Sequence, residues 1–177
     1  MNGRRPIKQK HEICVINDFI LWNQKQTGEL FELISRPDPP DAVVRSNQRT
    51  TWIEVTDAFY SEGWARDKCT YATPGENHQE MASGPYMGMD EQLINQFLEI
   101  VMQKLSKGSY SDASTKYGPG ILIVGLDSPW SDEQTTEMII EACKSKELKE
   151  VDKGYFSQVF FFYRNFSDTV FGECKLR

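Results

Sequence analysis

The sequence predicts an α/β fold, a mixed β-sheet with helices packed on it in one domain spanning residues 1–177. Three observations lead there. Apolar residues recur at helical spacing over about residues 8–26, 90–106 and 131–146. Short apolar or alternating runs, bounded by glycine and proline, fill the segments between and after those windows. The length of 177 residues, with 39% hydrophobic and 26% charged content, suits a soluble globular chain with a substantial core. The resulting order is α-β-β-β-α-β-α-β-β.

Each element has its own signal. Ile13, Ile16, Phe19, Ile20 and Trp22 mark the first helix, and Gly28 stops it. Residues 29–35 read as a strand, followed by a rigid turn in which Pro37, Pro39 and Pro40 exclude ladder pairing. Residues 41–45 and 51–57 read as an antiparallel hairpin around a polar loop. Residues 59–89 contain Gly63, Pro74, Gly75, Gly84, Pro85 and Gly88 and read as a long loop inserted in the core. Its Trp64, Tyr71 and Tyr86 either stack on a ligand or pin the loop to the body. A strongly amphipathic helix covers 90–106, and residues 121–126 form a continuous apolar run typical of a buried strand. Ser131-x-x-Gln134 opens the next helix as a capping box. Residues 156–163 and 169–176 close the chain as a strand pair around a turn at 164–168. The aromatic run Phe160-Phe161-Phe162-Tyr163 is a core strand, or alternatively a dimer or partner interface.

Composition excludes several classes. No stretch has the apolar length of a membrane span. The basic residues near Met1 are not followed by an apolar segment, so no secretory signal is read there. Cys14, Cys69, Cys143 and Cys174 are widely spaced without a Cys-x-x-Cys pair. They are expected as reduced thiols in a cytoplasmic protein, with Cys14 and Cys143 as small core residues. Two histidines, His11 and His78, argue against a His-rich zinc or iron site. The net charge of −6 argues against a general nucleic-acid binder, while leaving room for a local basic patch.

The informative residues are charged ones inside apolar patterns. Pro40-Asp41 opens the run Ala42-Val43-Val44, and Glu54 sits within Trp52-Ile53-Glu54-Val55. A buried carboxylate is costly unless it is paired or binds a metal. On the first helix, Glu12 projects into the apolar arc of Ile13, Ile16, Phe19 and Ile20. On the helix at 90–106, Lys104 is the charged residue that falls inside the arc of Leu93, Ile94, Phe97, Leu98, Val101 and Leu105. Strand alternation puts Trp52, Glu54 and Thr56 on one face. If the hairpin pairs symmetrically about its loop, Asp41 lies across from the Glu54–Thr56 end. Converged, Asp41 and Glu54 suit a hard divalent cation, which acidifies a bound water and offsets charge building on a phosphate. Lys104 would then serve the attacking water or the transition state, and Glu12 would complete or orient the set. Each residue also has a plainer role. Glu12 favours a helix dipole, Lys104 snorkels, Asp41 is a turn residue, and Glu54 lies on an edge strand.

With these residues the chain resembles the PD-(D/E)XK superfamily of restriction-endonuclease-like nucleases. Pro40-Asp41 looks like its PD element, Glu54-Val55-Thr56 like its (D/E)XK element, and Glu12 like its helix glutamate. The resemblance covers about residues 8–126 and leaves 127–177 as a C-terminal extension. It implies an α-β-β-β-α-β core, Mg²⁺ or Mn²⁺ held by Asp41 and Glu54, and catalysis by Glu12, Asp41, Glu54, Thr56 and Lys104. The implied reaction is phosphodiester hydrolysis on a nucleic acid, DNA ahead of RNA, and a homodimer would suit double-strand cleavage. Thr56 departs from the pattern, standing where the family's lysine belongs, and a hydroxyl carries no positive charge. Lys104 looks like that lysine migrated to the following helix. The loop at 59–89, with Arg66 and Lys68, would cover the substrate, and Arg36, Arg45 and Arg49 are candidate phosphate contacts or simply solvated surface residues. The alternative is a catalytically degenerate module that keeps the fold and acts as a protein-interaction or regulatory subunit.

Overall fold

In a computed structural model the chain is an α/β protein built on a six-stranded mixed open sheet flanked by helices. The structure describes residues 4–84, 87–128, 131–164 and 169–175. Tyr86, Pro85, the turn at 165–168 and Leu176 lie outside them.

Helix α1 (Arg4–Thr27) buries Glu12, Val15, Ile16, Phe19, Ile20 and Asn23, an i, i+3, i+4 stripe. It ends where Gly28 takes a φ of 76° and donates its N–H to the Gln24 carbonyl. Cys14 falls off the stripe and is exposed, so it is a surface residue and not the core residue expected. Strands β1 (Glu32–Ser35), β2 (Ala42–Arg45) and β3 (Thr50–Phe59) form an antiparallel meander, with Ala42 opposite Ile53 and Val43 opposite Trp52.

The segment expected as a long loop contains a helix, α2 (Glu62–Ala72). The Ser61 hydroxyl caps it by accepting from the Trp64 N–H. Gly63 lies in the first turn, where the cap holds the backbone, so it does not break the helix. The chain beyond α2 is tied back to it: Asp67 accepts from His78 and from the Met81 N–H, which holds its carboxyl below the usual range.

Helix α3 (Met89–Ser106) buries Leu93, Phe97, Val101 and Leu105. A 3-10 turn (Gly108–Tyr110) and helix α4 (Ser111–Tyr117) follow it; both fall in a segment the sequence pattern left unassigned. Strand β4 (Gly120–Asp127) then runs parallel to β3, and β5 (Phe156–Arg164) runs parallel to β4. Between them lie α5 (Glu133–Ala142) and α6 (Lys146–Val151), shorter pieces than the single helix expected. The cap of α5 is Asp132, not Ser131. Its carboxylate accepts from the Thr135 N–H at 2.9 Å, and the Asp132 N–H donates in return to the Thr135 hydroxyl oxygen. Strand β6 (Thr169–Cys174) pairs antiparallel with β5 and completes the order β1-β2-β3-β4-β5-β6.

The sheet has a core on each face. Val15, Ile16, Phe19, Ile53, Val55, Ile121, Ile123, Phe160 and Phe162 pack under α1. Trp52, Leu93, Phe97, Tyr110, Leu122, Val124, Phe156 and Phe161 pack on the opposite face. Phe160 through Tyr163 are all buried, so the aromatic run is a core strand and not an exposed interface. Cys143 and Cys174 are bonded to each other, with Cα atoms 5.5 Å apart. This corrects the expectation of four reduced thiols, because α5 and β6 bring together two cysteines that are distant in sequence. Among the described residues no helix is long and apolar enough to cross a membrane.

Candidate functional site

The hairpin register brings Asp41 and Glu54 together. Ala42 opposes Ile53, so Asp41 reaches β3 at Glu54, and its Oδ2 accepts the Val55 N–H at 2.8 Å. That bond extends the ladder just where the proline turn ends it, and it fixes the carboxyl against β3. Asp41 is 3% exposed and Glu54 6%. Burial and the neighbouring Glu54 carboxylate push the Asp41 carboxyl up to about 7, against the Val55 N–H, which holds it down.

Glu54 faces the α3 side, as strand alternation requires. Its Oε1 accepts from the Lys104 ammonium at 2.8 Å and from the Tyr110 hydroxyl at 2.9 Å. Its Oε2 is buried and has no hydrogen-bond partner among the described residues. Lys104 thus reaches Glu54 from the arc position that singled it out, with its side chain 18% exposed. Burial first, and then the Glu54 charge, drive the Tyr110 phenol well above its ordinary range, so it stands as a neutral donor.

Glu12 comes to the same end of the hairpin from α1, on the other side of the sheet. It is 4% exposed; its Oε2 accepts from Arg36 at 2.9 Å, and its Oε1 lies 3.2 Å from the Lys8 ammonium as an ion pair without a hydrogen bond among the described residues. Arg36 also donates from Nε to the Asp41 carbonyl at 3.2 Å, so one guanidinium joins the proline turn, β2 and α1. The Glu12 charge contributes to raising Asp41. Thr56 is half-buried on the Glu54 face, beside Val124 in register, and makes no hydrogen bond to Asp41 or Glu54 among the described residues. The structure therefore joins Glu54 and Lys104 directly, sets Asp41 opposite Glu54 in the hairpin register, and links Glu12 to the Asp41 backbone through Arg36. Thr56 is left apart.

Three of the other basic residues singled out are committed elsewhere. Arg45 pairs with Glu32, Arg49 with Glu29, and Lys68 with Asp127 at 2.6 Å. Trp64 donates its indole N–H to Asp127 and pins α2 to the end of β4. Tyr71 is exposed, and Arg66 lines an open groove with Cys69, Thr70 and Glu76. Two residues of the site were not singled out for their roles in it. Tyr110 follows Gly108-Ser109, which carry no helical periodicity. Arg36 sits in the proline turn, where nothing in the letters distinguishes a pairing residue from a surface one.

Among the described residues no group of three or more His, Cys, Asp or Glu side chains is arranged to hold a metal ion. The site offers a pair of carboxylates. That pair could hold a cation: Glu54 Oε2 is a buried oxygen without a hydrogen-bond partner among the described residues, and beside it stands the Asp41 carboxyl, raised by burial and then by the Glu54 charge. Comparison of the chain with protein-family models, with curated proteins and with solved structures returns no match in any of the three.

Proposed function

We propose that the protein is a divalent-metal-dependent phosphodiesterase, a nuclease of the PD-(D/E)XK type acting on DNA or RNA. The observation that carries this reading is the union of Asp41 and Glu54 across β2 and β3, with the Lys104 ammonium on Glu54 at 2.8 Å. The order of elements from α1 to β4 supports it, since a meander, then helices α2, α3 and α4, and then a parallel strand follow the first helix.

On this reading Asp41 and Glu54 hold Mg²⁺ or Mn²⁺ through carboxylate oxygens, and the ion when bound supplies an acidified water and charge neutralisation on the phosphate. Lys104 keeps a positive charge beside the carboxylate pair and stands where Thr56 leaves the strand motif without one. From there it orients a water or steadies the negative charge of the transition state. Glu12, neutralised by Lys8 and Arg36, positions Asp41 through the Arg36 bridge.

The test is cleavage of plasmid DNA, single-stranded DNA and RNA with Mg²⁺ or Mn²⁺, beside Glu54→Gln and Lys104→Met. Metal-dependent cleavage that is lost in Glu54→Gln and reduced at least a hundredfold in Lys104→Met supports the reading. A folded protein that neither binds metal nor cleaves would overturn it. That outcome favours the second reading, a non-catalytic module retaining the fold, which Thr56 at the strand motif's lysine position supports.

A further inference from the structure

The geometry points to Tyr110 as the positioning residue that selects which oxygen of Glu54 is presented to the cation. The inference rests on the metal-dependent reading above and goes beyond it, because Tyr110 belongs to none of the motif elements.

Glu54 Oε1 receives two donors, Lys104 Nζ at 2.8 Å and Tyr110 Oη at 2.9 Å, while Oε2 receives none among the described residues. Two donors on one oxygen divide the carboxylate into a held atom and a free one. The lysine alone cannot enforce that division, because its ammonium sits on a flexible stem with rotatable donors and follows whichever oxygen comes near. A phenol reaches a single point set by its ring.

That ring is fixed by the core. Tyr110 is 1% exposed, stacked on Trp52 with centroids 5.4 Å apart and an interplanar angle of 23°, and it meets Phe156 edge-on at 5.2 Å. Trp52 is in turn held by its indole N–H on the Gly118 carbonyl at 2.9 Å. The ring of Trp52 lies against Gly120, where a Cβ would penetrate the indole. The hydroxyl therefore takes its position from packing and imposes it on Glu54. Oε2 is left as the oxygen that meets a cation, and the carboxylate is kept from turning Oε1 toward it.

Tyr110→Phe removes the hydroxyl and keeps the ring. The experiment is titration with Mn²⁺ alone, read by the electron paramagnetic resonance signal of free Mn²⁺, on the wild type, Tyr110→Phe and Glu54→Gln. The expected result is binding by the wild type, its loss in Glu54→Gln, and a dissociation constant about tenfold or more higher in Tyr110→Phe, the usual effect of removing an outer-shell partner. A packing role alone would lower the melting temperature and leave the Mn²⁺ affinity unchanged. Unchanged affinity in a folded Tyr110→Phe overturns the inference while the metal reading stands. Absence of Mn²⁺ binding by the wild type overturns the inference, and absence of cleavage as well overturns the metal reading with it. If Tyr110→Phe does not fold, the wild type labelled with ¹³Cζ-tyrosine decides the matter. A Mg²⁺-dependent shift of the Tyr110 resonance that Glu54→Gln abolishes supports the inference, and no shift refutes it.

Discussion

Asp41 shows how a single buried carboxyl can couple folding to pH. Its carboxyl is pushed up to about 7 by burial and by Glu54, while an exposed aspartate titrates near 3.8. A folded-state pKa above the unfolded one means that the native state binds the proton more tightly. The stability this group contributes is complete below about 3.8 and is lost as pH rises through about 7. Metal-free protein is therefore expected to be less stable at pH 8 than at pH 5, by about 3 kcal/mol from this group. Urea denaturation in EDTA at the two pH values measures the difference. Asp41→Asn, which can still accept the Val55 N–H, is expected to flatten that dependence and to raise stability at pH 8. Equal wild-type stability at both pH values, once carried through the variant, would show that Asp41 ionises without cost. On the metal-dependent reading proposed above, protons and cations compete for the same oxygens, so Mn²⁺ affinity is expected to rise with pH through about 7 and to level off above it.

At the scale of elements, the site depends on how α3 docks on β3. Lys104 is the polar tie between them, and it lands on a carboxylate that is itself buried. Lys104→Met leaves Glu54 with the Tyr110 hydroxyl alone, and a buried charge stripped of its counter-ion costs about 3 kcal/mol. The double variant Glu54→Gln with Lys104→Met is expected to recover most of that loss, because neither charge then remains. A double-mutant cycle by chemical denaturation checks it, and additive losses would mean the pair is not coupled. This docking was legible in the letters because periodicity is a property of the chain. Lys104 and Glu12 announced themselves by falling inside apolar arcs, and Glu54 by interrupting an apolar strand. The strands were legible for the same reason, down to the pairing of Asp41 with the Glu54 end of β3. What periodicity does not carry is short or tertiary. Helix α2 depends on a serine cap and tolerates Gly63 in its first turn, so composition reads it as a loop. Tyr110 acts from a 3-10 turn too short to show a period. Arg36 gains its meaning only when the proline turn is laid against α1.

Across the whole molecule, the sheet makes the C-terminal segment part of the same structure that carries the site. Strand β5 lies beside β4, and β4 lies beside β3, so the floor under Glu54 extends through Leu122 to Val159. The Cys143–Cys174 bond closes this arrangement by linking the end of α5 to the end of β6, both ends buried against the core that holds Tyr110 and Trp52. A covalent link across a sequence separation of 31 residues restricts the unfolded chain more than the folded one. By loop-closure entropy it contributes about 3–4 kcal/mol. Reduction, or replacement of both cysteines by alanine, is expected to lower unfolding stability by that order, seen as a lower denaturant midpoint with and without reductant. Cys14 and Cys69 are exposed and unpaired thiols, and their replacement by serine is expected to leave the midpoint within about 0.5 kcal/mol. The contrast between the two pairs separates the structural bond from general thiol chemistry. If reductant shifts the midpoint of the wild type but not of the Cys143→Ala, Cys174→Ala protein, the bond between α5 and β6 supplies the stability. If reductant shifts both proteins equally, or neither, the sheet and its helices hold together on packing alone.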